Sequence, residues 1–179
     1  MKLFLEEPSM KHKEFYEDMM EEWEKFGGRL HPGALRRYSS IEGKNVTYEK
    51  WLKWIAEDRN KDSCPKGTIP QDLYFMVNET GRIIGAISIR KVLEDEKIEI
   101  DGHLGVGIRP SERNKGYATK MIEMALTILK SMGVIKLIYT CDEDNIGSSK
   151  AIINNGGVLE NEFIDDNGNK KLKYFLMLE

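Results

Sequence analysis

An apolar segment, Leu104 to Ile108, leads within a few residues into Arg113-Asn114-Lys115-Gly116-Tyr117-Ala118 and then into a long amphipathic stretch. No other feature of the chain restricts its fold as strongly. A strand that ends in a glycine-containing turn and enters a helix aims several unpaired backbone N–H groups, and the positive end of the helix dipole, at one point. Such a turn takes an anion. Gly116 lets a phosphate approach the backbone because it carries no Cβ, and Arg113 and Lys115 add positive charge beside it.

The helix predicted after this turn runs from about Lys115 to Met132. Ala118, Met121, Ile122, Ala125, Leu129 and Met132 share one face, and Gly133 ends it. Leu137 to Cys141 reads as the following strand, so strand, helix and strand form a parallel crossover unit. Before it, the runs Leu73 to Val77 and Arg82 to Arg90 flank Asn78-Glu79-Thr80-Gly81, a hairpin sequence. After it come a short helix from Gly147 to Asn155, closed by Gly156-Gly157, and two strands around Asp166-Asn167-Gly168-Asn169. In the N-terminal part, Phe15, Met19, Trp23 and Phe26 fall at helical spacing ahead of Gly27-Gly28, giving a surface helix with one buried face. A second helix is predicted from Tyr48 to Asp58, capped by Thr47, with Trp51, Leu52 and Ile55 on one face; Arg29 to Lys44 between them reads as loop. The expected fold is α/β, with a mixed central sheet, parallel at the crossover and antiparallel at the hairpins, and helices on both faces.

With 179 residues, 40% of them hydrophobic, residues 1–179 suit one domain with a sizeable core. The 27 basic and 30 acidic residues leave a net charge of −3, which provides no general attraction for nucleic acid or an anionic membrane. Cys64 and Cys141 lack the spacing of a zinc site or a disulfide framework, so a reducing cytoplasm is the expected setting and no metal is expected. The apolar patch within Met1 to Glu7 is too short for a signal peptide, and no run reaches membrane-spanning length. A P-loop or dinucleotide fold fits poorly, because the chain has neither G-x-x-x-x-G-K-S/T nor G-x-G-x-x-G.

Arg113, Gly116 and Ala118, in their strand–turn–helix setting, resemble the Q/R-x-x-G-x-G/A motif of the GNAT family of N-acetyltransferases, and the resemblance spans roughly Leu73 to the C-terminus. It implies that Gly102–Ile108 and Leu137–Cys141 splay apart as parallel strands and form an acetyl-CoA cleft. The pantetheine arm then pairs with backbone at Val106 and Ile108, and the Val106 amide is the implied donor to the oxyanion. Arg113, Asn114, Lys115, Gly116, Tyr117 and Ala118 are the implied pyrophosphate turn. Asn145 is implied on the pantetheine arm, or as a helix cap. Ser148 and Ser149 either contact CoA or favour the first helical turn. Residues 1–70 would carry the acceptor side and 71–179 the acetyl-CoA core.

Many members of the family supply a tyrosine as general acid from the helix after the asparagine, and that position here is Ile152. A substitute must come from elsewhere: His103, Glu99, Tyr139, Cys141 and Asp142 surround the two strands, and His103 shares a face with Gly105 and Gly107 that would leave room for substrate. The activity implied is transfer of an acetyl group from acetyl-CoA, through a ternary complex, to a primary amine of a small molecule or protein. The other reading is an acyl-CoA-binding sensor or interaction module without turnover. The oligomeric state stays open, a homodimer included.

Overall fold

The computed structural model describes residues 1–38, 46–66, 68–90 and 96–178. Two antiparallel sheets carry the fold. The first has strand order β1 (Leu3–Glu6), β2 (Gln71–Asn78), β3 (Ile83–Arg90) and β4 (Leu104–Ile108). In the second, β5 (Lys136–Asp142) lies beside β7 (Lys170–Met177), which pairs in turn with β6 (Val158–Ile164). Helices α1 (Lys13–Phe26), α2 (Gly33–Tyr38) and α3 (Tyr48–Glu57) precede β2, and α4 (Glu96–Asp101) precedes β4. The crossover helix α5 (Tyr117–Ser131) joins β4 to β5, and α6 (Ile146–Ile153) follows β5.

The four-stranded sheet is covered on both sides, which is why β3 is buried along nearly its whole length and reads as a continuous apolar run. On one side Met121, Ile122, Ala125 and Leu129 of α5 and Ile152 of α6 form a core with Met76, Ile84 and Leu137. On the other, Met19 and Trp23 of α1, Leu35 of α2 and Trp51 of α3 pack on Phe75 and Ala86. Thr47 caps α3 as expected, accepting from the Lys50 N–H at 3.3 Å.

Several elements were not visible in the sequence. β1 is only four residues long and gains its stability from pairing with β2; α2 lies where loop was expected, and residues 39–44 of that loop lie outside the described ones. The mixed character of the sheet is confined to one junction. The crossover brings β4 and β5 together at a single point, where the His103 N–H donates to the Ile138 carbonyl at 2.8 Å and the Ile138 N–H donates to His103 Nδ1 at 3.0 Å. An imidazole here takes the N–H that a neighbouring strand's carbonyl would otherwise accept, and beyond it the strands pair with other partners.

Candidate functional site

The splay between β4 and β5 opens into a cavity of about 400 Å³. Leu104, Gly105 and Val106 form one wall, Tyr139 to Asp142 with Asn145 and Ser148 the other, and Arg29, Asp101 and the 165–169 turn stand among its remaining lining. That turn is closed by Asp165, whose Oδ1 accepts the N–H groups of Asn167 and Asn169, each at 2.9 Å.

Backbone polarity along β4 follows from its register. Arg90 donates to the His103 carbonyl at 2.8 Å and Arg109 donates to the Ile84 carbonyl at 3.0 Å. In an antiparallel pair hydrogen-bonded residues alternate with non-bonded ones, so Ser88–Gly105 and Ala86–Gly107 are bonded pairs and Ile87–Val106 is not. The N–H and C=O of Val106 therefore point away from β3 to the open edge, on the cavity wall. Ile108 has the same polarity, and its carbonyl accepts from Arg113 Nε at 3.1 Å.

Past β4, Pro110 opens a 3-10 turn, Pro110–Glu112, and the chain swings through Asn114 at φ 60° and Gly116 at φ 80° into α5. Gly116 is the cap residue, in the left-handed region where glycine carries no steric penalty. It has no capping side chain, and the first hydrogen bond returned to it is Lys120 N–H to the Gly116 carbonyl at 3.1 Å. Hence the N–H groups of residues 114–119 have no acceptor among the described residues, and they cluster at the positive end of a 15-residue helix. Lys115 is less free than the sequence suggested, since its ammonium lies 3.0 Å from Glu112. Tyr117 and Ala118 form the first turn of α5 and pack partly against the core.

Asn145 lines the cavity and also caps α6, its Oδ1 accepting from the Ser148 N–H at 3.1 Å. Ser148 and Ser149 diverge. The Ser149 hydroxyl lies 3.4 Å from Cys141 Sγ, away from the cavity lining, whereas Ser148 lines the cavity with its hydroxyl 3.0 Å from the Tyr139 hydroxyl. Tyr139 is 3% exposed and Ser148 Oγ is the sole partner of its hydroxyl among the described residues; either hydroxyl can donate in this bond, and both residues line the cavity. Burial pushes the Tyr139 phenol up to about 12, partly offset by the bond to Ser148, and it stays protonated at physiological pH. The sequence offered Tyr139 and Ser148 as separate candidates; that their hydroxyls meet depends on how α6 packs beside β5.

His103 is not brought to the cavity. Its side chain is buried at 2% exposure against Ile138, and the face it shares with Gly105 and Gly107 is not open: Pro32 and Ser88 Oγ close over Gly105, and the His31 carbonyl closes over Gly107. Burial lowers the His103 pKa from its ordinary value, with Arg90 acting in the same direction, while Glu99 opposes it. The unfolded chain thus binds a proton below about pH 6.5 that the folded chain refuses. The resulting stability is complete above that pH and is lost as pH falls through the window below it. Melting temperatures of His103→Asn, whose Oδ1 can still accept from Ile138, are expected to decline less than the parent's between pH 7 and 5. An equal decline would assign the pH dependence to other groups. Turnover of the variant should keep the parent's pH profile.

The usual acid position, Ile152, is fully buried in the core, has no proton to donate and is not among the residues that line the cavity. Glu99 is committed to an ion pair with Lys173, and Asp142 to one with Lys171. Among the described residues no group of three or more His, Cys, Asp or Glu side chains could hold a metal ion, and no helix is long and apolar enough to cross a membrane.

Solved structures of similar shape are acetyltransferases. A GNAT-family acetyltransferase from Bacillus anthracis superposes with a TM-score of 0.63 at 18% identity, covering 99% of this chain and 95% of its own. The microcin C7 self-immunity acetyltransferase MccE, solved with acetyl-CoA and AMP, gives 0.69 at 16% identity over 98% and 92% of the two chains. A dodecameric spermidine N-acetyltransferase from Vibrio cholerae gives 0.63 at 14% identity over 98% and 94%. No curated protein sequence matches. The sequence profile of the acetyltransferase (GNAT) domain matches residues 3–158, so the likeness begins at β1, well before the Leu73 expected from the motif. With its splayed β4–β5 cleft and unpaired turn, the chain belongs to the GNAT acetyltransferase family and is an acyltransferase.

Proposed function

We propose that this protein transfers an acetyl group from acetyl-CoA to a primary amine, of a small molecule or a protein, bound beside the thioester. The observation that carries this reading is the free edge of β4: Val106 offers an unpaired N–H and C=O to the cavity wall, and the unpaired N–H groups of residues 114–119 lie beyond the end of the same strand. The free edge fits the amide-bearing arm of CoA, and the turn fits its pyrophosphate. MccE, which shares the fold, was solved with acetyl-CoA. Acetyl-CoA supplies the activated thioester; the residues of this chain orient it and manage charge and protons.

Val106 N–H donates to the thioester oxygen as negative charge develops there, at no reorganisation cost because the strand already holds it in place. The amine nitrogen forms a bond to the carbonyl carbon, the carbon–sulfur bond breaks, the amine gives up one proton and the sulfur receives one. Ser148 is the proposed donor to that sulfur, and Tyr139, donating to Ser148 Oγ, keeps the serine proton turned towards the cavity. The proton shed by the amine restores the serine through water. Residues 1–70 and the 165–169 turn shape the acceptor side, and the rest of residues 71–179 the donor side.

Tyr139→Phe is expected to lower kcat about tenfold, a modest share of what proton transfer contributes to catalysis, with the KM for acetyl-CoA unchanged. A raised KM with normal kcat would refute this role. Release of free thiol from acetyl-CoA, measured against a panel of amines, amino acids, polyamines, aminoglycosides and peptides, tests the whole reading. Acceptor-dependent release establishes the transferase and its substrate class. Tight CoA binding without release across the panel would favour a non-catalytic acyl-CoA sensor, the alternative that Ile152 at the usual acid position supports.

A further inference from the structure

Phe26, the last residue of α1, is 61% exposed, although its spacing with Met19 and Trp23 predicts a buried side chain. Its ring is nevertheless engaged. The Arg113 guanidinium carbon lies 4.7 Å from the centre of the Phe26 ring and 5.1 Å from that of Trp23, one helical turn earlier. Arg113 Nε is committed to the Ile108 carbonyl at 3.1 Å, while its two terminal nitrogens have no acceptor among the described residues. The guanidinium is thus fixed at Nε by the end of β4 and across its face by α1, with its remaining donors free.

The helix that presents these rings is itself locked to the turn. Glu22 accepts from Arg109 Nε at 2.6 Å through one carboxylate oxygen and from the Ser111 N–H at 2.7 Å through the other, and Arg109, 1% exposed, also pairs with Asp18 at 2.7 Å. Burial alone would raise the Glu22 carboxyl, but the Ser111 and Arg109 bonds outweigh it and hold the group below its ordinary range. The register of α1 against residues 109–113 is therefore set by a charged clasp, and the rings at its C-terminal end meet Arg113 as a consequence.

We propose that Phe26 is a positioning residue for the acyl donor: with Trp23 it holds the Arg113 guanidinium in one orientation, so that its free donors meet the phosphates of CoA already ordered. A long arginine side chain free in solution loses rotamer freedom on gripping an anion, and an aromatic surface beneath it removes part of that loss in advance. A helix on the acceptor side of the sequence thereby contributes to donor affinity. This rests on the acetyl-CoA reading above.

The test is binding of CoA by calorimetry and of pantetheine, which lacks the phosphates, by NMR titration. Phe26→Ala is expected to raise the Kd for CoA about fivefold and leave that for pantetheine unchanged, with Phe26→Tyr close to the parent and melting temperatures alike, because the ring is exposed. In an Arg113→Gln background Phe26→Ala should have no further effect. Equal losses for CoA and pantetheine would mean a general structural role, and additive losses in the Arg113→Gln background would mean that Phe26 acts independently of the arginine; either overturns the proposal. A parent that binds pantetheine but gains nothing from the phosphates overturns it while sparing the cleft, and one that binds neither ligand removes the acetyl-CoA reading with it.

Discussion

Arg113→Glu is expected to raise the Kd for CoA about 100-fold, equivalent to about 2.7 kcal/mol, while the chain remains folded. Unit charges about 4 Å apart near a protein surface interact by about 4 kcal/mol, and a half-buried side chain realises part of that. Reversal both removes an attraction to the pyrophosphate and installs a repulsion. The fold should tolerate it, because Arg113 is only half-buried and the change removes one bond to the Ile108 carbonyl and the stacking on two rings. Arg113→Gln, which only removes the attraction, should fall between parent and Glu variant. Unaltered CoA affinity in a folded Glu variant would refute the phosphate role of this arginine and leave the backbone N–H groups of residues 114–119 as the whole anion site.

Gly107→Val should damage the fold itself. A Cβ at Gly107 would overlap the His31 carbonyl, which is backbone and cannot rotate away as a flexible side chain would. Either β4 shifts from β3, or the 31–33 segment lifts from β4. Overpacking of this kind costs about 1–3 kcal/mol or more, so a loss of about 5–10 °C in Tm is expected for a chain of this size. Activity should fall further than stability, because His31 and Gly33 line the cavity and would leave their positions. Gly116→Ala makes a useful contrast. Nothing lies within 4 Å of its added Cβ, so only the left-handed φ of 80° opposes it, at roughly 1 kcal/mol. A Gly107→Val protein as stable as its parent would show that the 31–33 segment is not held against β4.

Most of the β4–turn–α5 unit could be read from residue order. Local chemistry determined it: alternation over Leu104–Ile108, a glycine where the chain must turn left-handed, and an apolar stripe through Met121, Ile122, Ala125 and Leu129, all of which are buried. Thr47 and Asn145 cap helices, because a short polar side chain ahead of a helix satisfies a free N–H from its own neighbourhood. These are interactions within a few residues, and a sequence displays them directly.

What escaped the sequence depends on contacts between distant residues. Phe26 had the spacing of a core residue, yet α1 ends where Arg109 and Ser111 seize Glu22, and the ring meets Arg113 in place of the core. His103 had the chemistry of a catalyst, but folding turned its imidazole into the acceptor for Ile138. Tyr139 and Ser148 were separate candidates, and folding made them hydrogen-bond partners. By itself the sequence determined a strand, a turn and a helix able to hold a phosphate, since these follow from dihedral preference and hydrophobic period. Only the tertiary structure decided which polar side chains face the cleft, because a side chain's role depends on the partners left to it once distant segments have packed.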